Sequence, residues 1–218
     1  SDTLVSGSRY QLRWDTGGTV SSVNISYSPD NGATWKDIAQ DVANDNQFDG
    51  VSDTGPWIIP HEISDDVLLR VSDVSKTDVK AQVKVKIIPP FTIKSPVANN
   101  IWLGDTNYAI TWDNAAGVVI NNVKIEYTVD DGQTWSKINN GSYTKTNDLS
   151  ESWKCPRVST NAARVRISNL ADTTGFAYAE SATFKLKQGN VTVVTPNTQV
   201  EWKVGQVRRV EWSKTGEV

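Results

Sequence analysis

Apolar and polar residues alternate along many short segments of the chain. Val123, Ile125 and Tyr127 fall on one face of an extended segment, whereas Lys124 and Glu126 fall on the other. The segments RVRIS and TFKLK repeat this alternation, and Gly, Asn, Asp and Pro residues bound the runs. This pattern predicts antiparallel strands with one buried and one solvated face, and no segment shows the period of a helix.

The pattern is clearest in the middle of the chain, where it predicts seven strands. Their predicted ranges are 91–95, 107–113, 121–128, 134–139, 150–155, 163–169 and 181–187. About seven strands in about a hundred residues is typical of an immunoglobulin-like or fibronectin-III-like sandwich of two antiparallel sheets. We therefore predict an all-β fold of tandem β-sandwiches. Rings on the second and third strands are expected to fill the cores, namely Trp14, Tyr27, Trp112 and Tyr127.

The sequence also repeats itself at an offset of about a hundred residues. Aromatic residues of the first copy recur in the second, and the pairs are Trp14 with Trp112, Tyr27 with Tyr127 and Trp35 with Trp135. A third copy begins at VTVVTP, residues 191–196, which repeats FTIKSP, residues 91–96. The chain is therefore expected to contain more than one sandwich.

The phase of the repeat predicts three domains. Residues 1–89 form a sandwich that lacks its first strand, residues 90–189 form a complete sandwich, and residues 190–218 supply the first strands of a third. A Pro-Pro pair and a Gln-Gly-Asn segment mark the joints. Because these joints are short, we expect stiff and closely coupled neighbours, within a longer repeat protein.

Two equivalent segments, SPDNGATW and TVDDGQTW, connect the third strand of a copy to the next strand. The carboxylate can accept backbone N–H bonds across such a loop, Gly can take a positive φ, and Trp can pack back on the sheet edge. The predicted turn residues are Asp30, Gly32, Trp35, Asp130, Gly132 and Trp135.

These segments resemble the Asp-box hairpin of sialidases and other propellers. Propellers carry that hairpin at a spacing nearer fifty residues than a hundred, and sialidase chemistry needs converging arginines and a tyrosine nucleophile. Arg70 and Arg166 occupy equivalent positions on alternating strands, which is typical of a surface face. We therefore predict that the chain is not an enzyme and that its corners are structural.

A fuller resemblance covers the second copy. The motifs are Ile93-Lys94-Ser95-Pro96, Trp102-Leu103-Gly104, Ile110-Thr111-Trp112, Trp153-Lys154-Cys155-Pro156 and Ser181-Ala182-Thr183-Phe184-Lys185-Leu186. They are similar to the KNH-like immunoglobulin-like domain of yeast cell-wall and Ser/Thr-rich surface proteins, found also in bacterial surface proteins. The resemblance implies an extracellular, wall-associated module with no catalytic residues to carry over. The Asp-box hairpin is not general in that family, which favours a bacterial or archaeal relative.

Composition narrows the function classes. A net charge of −3 offers no basic surface for nucleic acid, and no apolar run is long enough for a membrane span. The single cysteine, Cys155, excludes an internal disulfide, and we expect it to be a buried small hydrophobe. The single histidine, His61, follows a Pro in a predicted turn and has no second His or Cys as a metal partner.

The sequence therefore favours a non-catalytic structural module at the cell surface, in a surface-layer (S-layer) lattice protein or an adhesin stalk. Its expected partners are copies of itself or other envelope components, with cell-wall glycans as a further class. The alternative is a carbohydrate-binding or spacer module of a secreted polysaccharide hydrolase. Candidate sugar platforms for that alternative are Trp57, Trp102, Trp153 and Trp202.

No cofactor is expected, with calcium as the alternative. Asp41, Asp45 and Asp49 are close enough in sequence for a hard cation, although their spacing fits no EF-hand loop. Asp65 and Asp66 are a second carboxylate pair, near a predicted joint.

Three Asn-x-Ser/Thr tripeptides predict a glycoprotein. They begin at Asn24, Asn140 and Asn190. Asn140 falls in a predicted loop and is the preferred candidate, whereas Asn24 falls on a strand.

Overall fold

The structure is a computed structural model that describes residues 2–48, 50, 56–138 and 145–215. These residues form β-strands and no α-helix. The first nine strands are β1 Thr3–Val5, β2 Arg9–Tyr10, β3 Leu12–Arg13, β4 Ser22–Ser28, β5 Lys36–Ala43, β6 Gln47–Phe48, β7 Trp57–Ile58, β8 Ser64–Asp73 and β9 Lys80–Ile88. The remainder are β10 Phe91–Ser95, β11 Ile101–Leu103, β12 Asn107–Asn114, β13 Asn122–Thr128, β14 Ser136–Lys137, β15 Lys145–Thr146, β16 Ser150–Lys154, β17 Thr160–Asn169, β18 Tyr178–Glu180, β19 Phe184–Lys187, β20 Asn190–Thr195 and β21 Glu211–Thr215. Within the described ranges, nothing helical is long and apolar enough to cross a bilayer.

The chain divides into two compact units. The first comprises Ser1–Thr92, Asn114–Ile120 and Ser168–Ala179. The second comprises Ile93–Asp113, Asn121–Ile167 and Glu180–Val218. The domain limits between residues 89 and 90 and between residues 189 and 190 were predicted from the sequence repeat, and they stay predictions.

The first unit is a two-layer β-structure. One layer is a five-stranded sheet in the order β1-β9-β8-β4-β5, in which only β1 and β9 run parallel. Two short antiparallel pairs, β2-β7 and β3-β6, supply residues to the same core. That core joins Leu12 and Phe48 of the short pairs to Ile25, Val67 and other buried side chains of the large sheet. Burial of one face of each layer is what holds the layers together.

The second unit has the same plan with a more complete small sheet. Strand β12 lies between β10 and β16, and the larger sheet has the order β11-β19-β17-β13-β14, with β15 on β13 and β18 on β17. Trp112 of β12 is only 1 % exposed, beside fully buried Ile110. Both units are therefore immunoglobulin-like or fibronectin-III-like β-sandwiches whose strands pair mainly antiparallel, and the predicted all-β fold class is confirmed.

Each of the seven strands predicted for the second copy overlaps an observed strand. The sequence missed β11, β15 and β18, which have two or three residues and are too short to show alternation. One face assignment was wrong, because Glu126 is buried at 7 % exposure although alternation placed it in solvent. Tyr127 and Trp14 are only partly buried, whereas both were expected inside the cores.

The third copy is represented by an antiparallel pair, β20 with β21. Its tryptophans match buried residues of the second copy but lie in solvent. Trp212 is 65 % exposed where Trp112 is 1 % exposed, and Trp202 is 48 % exposed where Trp102 is 6 % exposed. The same sequence positions therefore contribute to a core only where a second sheet covers them.

This contrast predicts that alanine substitutions at the two equivalent tryptophans lower the free energy of unfolding by very different amounts. Trp112→Ala should destabilise the second unit by about 3–5 kcal/mol, because it leaves a cavity in a close-packed core. Trp212→Ala is the matched control and should cost about 0.5 kcal/mol or less, since its ring is already solvated. Urea unfolding of both variants measures the difference. Equal losses of stability would contradict the assigned core.

Candidate functional site

The corner between β4 and β5 is held by a network around one carboxylate. The Asp30 Oδ1 atom accepts hydrogen bonds from the Ser28 hydroxyl at 2.7 Å and from the Thr34 amide at 2.8 Å. Its Oδ2 atom accepts a bond from the Thr34 hydroxyl at 2.6 Å. The Ser28 hydroxyl in turn accepts a bond from the Gly32 amide at 2.7 Å. The Asp30 side chain therefore accepts hydrogen bonds from both ends of the loop.

The corner that follows β13 repeats this network position for position. Asp130 accepts from the Thr128 hydroxyl at 2.5 Å, from the Thr134 amide at 2.9 Å and from the Thr134 hydroxyl at 2.5 Å. The Gly132 amide donates to the Thr128 hydroxyl at 3.0 Å. Gly32 and Gly132 have φ values of 94° and 92°, a region that residues with a Cβ rarely adopt. These turns therefore need Gly as well as Asp.

The hydrogen bonds of the corners favour the ionised carboxylates. For Asp30, the bonds from the Thr34 hydroxyl and amide and from the Ser28 hydroxyl lower the pKa from 3.8 to about 2. For Asp130, the bonds from the Thr128 hydroxyl and from Thr134 lower the pKa to about 2. A hydrogen-bonded carboxylate of such low pKa is a poor proton donor or acceptor near neutral pH. The corners are therefore unsuited to acid–base catalysis.

The tryptophan that ends each corner is covered by an arginine from the neighbouring strand. The Arg70 guanidinium lies 3.7 Å from the centre of the Trp35 ring, and that of Arg166 lies 4.1 Å from Trp135. Arg70 also donates to the Ser26 hydroxyl at 3.1 Å. Each arginine is thus bound inside its own unit by a cation–π contact and a hydrogen bond, in two equivalent places.

Glu126 is the buried anion of the second corner. Arg166 Nη2 lies 2.8 Å from its Oε2 atom and Lys124 Nζ lies 3.1 Å from the same atom. Burial by itself raises the pKa of Glu126, but the hydrogen bonds from Arg166 and Lys124 hold it below the ordinary value. This explains the wrong face assignment, because the arginine that stacks on Trp135 also covers the carboxylate.

The candidate sugar platforms differ in burial. The rings of Trp102 and Trp153 are 6 % and 2 % exposed and pack together at 6.0 Å between centroids. The partly buried ring of Trp57 packs on Tyr27 at 5.3 Å. Trp202 alone among the four is about half exposed. A buried ring offers no face to a sugar, so Trp102 and Trp153 are not platforms.

Three of the five carboxylates suggested for calcium have other partners. Asp45 Oδ1 accepts from the Gln47 amide at 3.1 Å, and Asp49 lies outside the described residues. Asp66 pairs with Lys84 at 2.5 Å, and Asp65 pairs with Lys86. In the described ranges, no three His, Cys, Asp or Glu side chains are grouped as metal ligands would be. Calcium binding stays untested.

The candidate glycosylation sites lie in different surroundings. Asn190 is exposed at the start of β20. Asn24 is partly buried on β4, and its Oδ1 atom accepts from the Asp41 amide at 2.9 Å. Asn140 lies outside the described residues. Glycosylation remains a prediction, and Asn190 is the more accessible of the two described sites.

The single cysteine and the single histidine are both engaged. Cys155 is 1 % exposed, and burial raises the pKa of its thiol to about 12. His61 stacks on Tyr178 at 3.6 Å between ring centres, and its Nδ1 atom lies 3.1 Å from the Phe176 carbonyl oxygen. A carbonyl oxygen only accepts, so we assign the proton to Nδ1 in that bond.

A cleft in the first unit was not foreseen from the sequence. It has a volume of about 190 Å³, and its walls come from the end of β3, the start of β4, the end of β8 and the start of β9. Trp14, Val23, Val71 and Val79 line it, along with buried Asp73. Asp73 is engaged, since its Oδ1 atom accepts from the Ser75 amide at 2.7 Å. The surface of the cleft is mainly apolar, and the cleft lies beside the end of β3.

No protein-family model matches the sequence, and no curated protein is significantly similar to it. Fibronectin(III)-like modules of CbhA from Clostridium thermocellum match 86 % of this chain and 90 % of that chain, at 15 % identity and a TM-score of 0.28. Dpr2 Ig1-Ig2 in complex with DIP-Theta Ig1-Ig3 matches 88 % of this chain and 66 % of that chain, at 10 % identity and a TM-score of 0.23. Similarity at this level carries no functional information.

The lowered pKa of the corner carboxylates predicts an acid dependence of stability. Asp30 stabilises the fold fully above its unfolded pKa of 3.8, and this contribution is lost as pH falls towards about 2. Asp30→Asn should therefore lower the melting temperature by a few degrees at pH 7 and lose less stability than the parent between pH 4 and 2. Melting curves across this range, with exposed Asp78→Asn as control, measure the effect. Parallel pH profiles for Asp30→Asn and the parent would refute it.

Burial of Cys155 predicts an inert thiol. The native protein should not react with a thiol reagent such as Ellman's reagent at pH 8, whereas the denatured chain should react with one equivalent. Ser213→Cys in a Cys155→Ser background is the accessible control, because Ser213 is exposed. Rapid labelling of Cys155 in the native protein would show that the strand end opens.

Proposed function

We propose that the chain is a non-catalytic structural module of a long extracellular repeat protein, in a cell-surface lattice of the S-layer type or an adhesin stalk. One observation carries the proposal. The recurring Asp, Thr, Trp and Arg side chains contact one another in two equivalent corner networks, and each network lies within one sandwich. Such networks hold a turn in shape and leave no reactive group at either corner.

The contacts of the two arginines also speak against sugar-cleaving chemistry. A glycosidase needs a pair of carboxyl groups across a substrate site, and a sialidase needs arginines that converge on a substrate carboxylate. Arg70 and Arg166 are instead bound to Trp35 and Trp135 in separate sandwiches. We therefore propose that the Asp-box-like hairpins of this chain have a structural role and that the chain is not an enzyme.

An extracellular location and envelope partners belong to the same proposal. The chain has one cysteine, so its sandwiches depend on core packing and corner hydrogen bonds and do not require disulfides. The exposed Asn190 would accept a glycan without disturbing a core. The proposed partners are further copies of the chain and other envelope components, including wall glycans.

Localisation in the source cell tests this function. An epitope tag inserted between exposed Ala116 and Gly117 should label intact cells as a continuous or periodic coat, viewed by immunogold electron microscopy. An untagged strain is the control. Recovery of the tagged protein only in the culture medium, bound to a polysaccharide hydrolase, would overturn the proposal. A pull-down on insoluble polysaccharide that is abolished by Trp202→Ala would instead support the carbohydrate-binding alternative.

A further inference from the structure

The loop of the first corner contains an Asn-Gly pair, Asn31 and Gly32, and Asn31 is exposed. Asparagine is among the chemically labile residues of proteins. In an Asn-Gly pair the main-chain nitrogen of the glycine can attack the amide carbon of the asparagine side chain, because no glycine side chain shields that nitrogen. The corner therefore carries both a nucleophile and an electrophile of a possible self-modification.

The pair occupies the two central positions of a type I′ turn. The φ angle is 58° at Asn31 and 94° at Gly32. The Ala33 amide donates to the Asp30 carbonyl oxygen at 3.3 Å, and the Asn31 amide donates to the Asp66 carbonyl oxygen at 3.0 Å. Attack would close a five-membered ring, which requires the Asn31 Cβ atom and the Gly32 nitrogen to eclipse each other about the Cα–C bond. That rotation leaves the type I′ turn, so the turn opposes ring closure.

The nucleophile of the pair is also engaged. The Gly32 amide donates to the Ser28 hydroxyl at 2.7 Å, and this hydroxyl donates its own proton to Asp30 at 2.7 Å. The amide nitrogen attacks only after it loses its proton, and that loss removes the hydrogen bond to Ser28. Hydrogen bonds from Thr34 and Ser28 lower the pKa of Asp30 to about 2, so the new anion would form near an ionised carboxylate. The corner therefore also opposes deprotonation of Gly32.

The second corner lacks the reactive amide. Asp131 stands at the position of Asn31, and Arg164 Nη2 of β17 lies 2.6 Å from its Oδ1 atom. The first copy has Leu68 of β8 at the position of Arg164. A carboxylate formed at position 31 would therefore have a leucine where the second copy provides an arginine. The second corner thus serves as a control within the same molecule.

We propose that Asn31 is a site of self-modification by deamidation, and that the hydrogen bond from Gly32 to Ser28 keeps this site latent in the folded corner. The Gly32 nitrogen gives its proton to water or hydroxide and forms a bond to the Asn31 Cγ atom. The C–N bond of the side-chain amide breaks, and its nitrogen takes up a proton and leaves as ammonia. Water then opens the succinimide at either carbonyl and leaves aspartate or isoaspartate at position 31.

The isoaspartate product would change the corner permanently. It directs the main chain through the Cβ and Cγ atoms of residue 31 and so adds one atom between this residue and Gly32. The hydrogen bonds from the Asn31 amide to Asp66 and from the Gly32 amide to Ser28 are formed at the ordinary main-chain spacing. Deamidation therefore marks molecules whose corner has opened, because the folded turn opposes the reaction and the product does not fit it.

Peptide mapping by liquid chromatography and mass spectrometry tests the proposal on the full chain at pH 8. A synthetic peptide of residues 26–36 gives the rate without protection. We expect Asn31 of the folded parent to deamidate about a hundredfold more slowly, because the turn and the hydrogen bond must both be lost. Ser28→Ala should raise the rate in the folded protein about tenfold, the factor expected for one hydrogen bond of ordinary strength. The digest measures Asn31 separately from the other Asn-Gly pair at residues 140–141, which lies outside the described residues.

Two substitutions separate this hydrogen bond from a general loosening of the corner. Thr34→Val removes the hydroxyl bond to Asp30 at 2.6 Å and keeps the bond from Gly32 to Ser28, so Asn31 should deamidate near the parent rate. Ser28→Thr keeps an acceptor hydroxyl, as Thr128 does in the second corner, and should also keep the parent rate. Unfolding midpoints of all variants are measured, so that rates are compared where each variant is folded.

Four results would overturn the proposal. Absence of deamidation in the peptide would remove the site, and equal rates in the peptide and the folded parent would remove the protection. A Ser28→Ala rate equal to the parent rate would show that the hydrogen bond is irrelevant. Equal acceleration by Thr34→Val and Ser28→Ala would assign the effect to loosening of the loop. None of these results depends on where the protein resides, so the inference and the proposed function can fail separately.

Discussion

The structure depends on how the tryptophan of the second strand is covered. An extended strand presents a large ring on one face, and this ring is stable only if a facing sheet and its neighbouring strands remove it from water. Trp112 has both and is buried, Trp14 is partly buried and lines a cleft, and Trp212 lies in solvent. In the described residues, one sequence motif is therefore buried to three different degrees.

The corners are stabilised in a different way, because the hydrogen bonds of each network lie within one loop. Each Asp side chain links the residue two before it to the residue four after it through charge-assisted hydrogen bonds, and Gly supplies the backbone conformation that closes the turn. Arginine then fixes the following ring against the sheet. Since each network needs only the hairpin and one neighbouring strand, the corner indicates a kind of turn and carries no information about a reaction.

The two sandwiches share a corner and differ in what covers the ring of the second strand. The corner recurs unchanged because its hydrogen bonds lie within one hairpin. The cover over the ring comes from other strands, so it differs from copy to copy.

The sequence alone determined the all-β class, most strand positions, the repeat and the residues of the corners. It could do so because alternation, turn chemistry and recurring rings are encoded in residues close along the chain. It did not determine that Glu126 is buried beneath Arg166, that β11 pairs in parallel with β19, or that Trp14 lines a cleft. These depend on which element covers a face, and alternation distinguishes the two faces of a strand without saying what lies over either. Only the tertiary structure decided that.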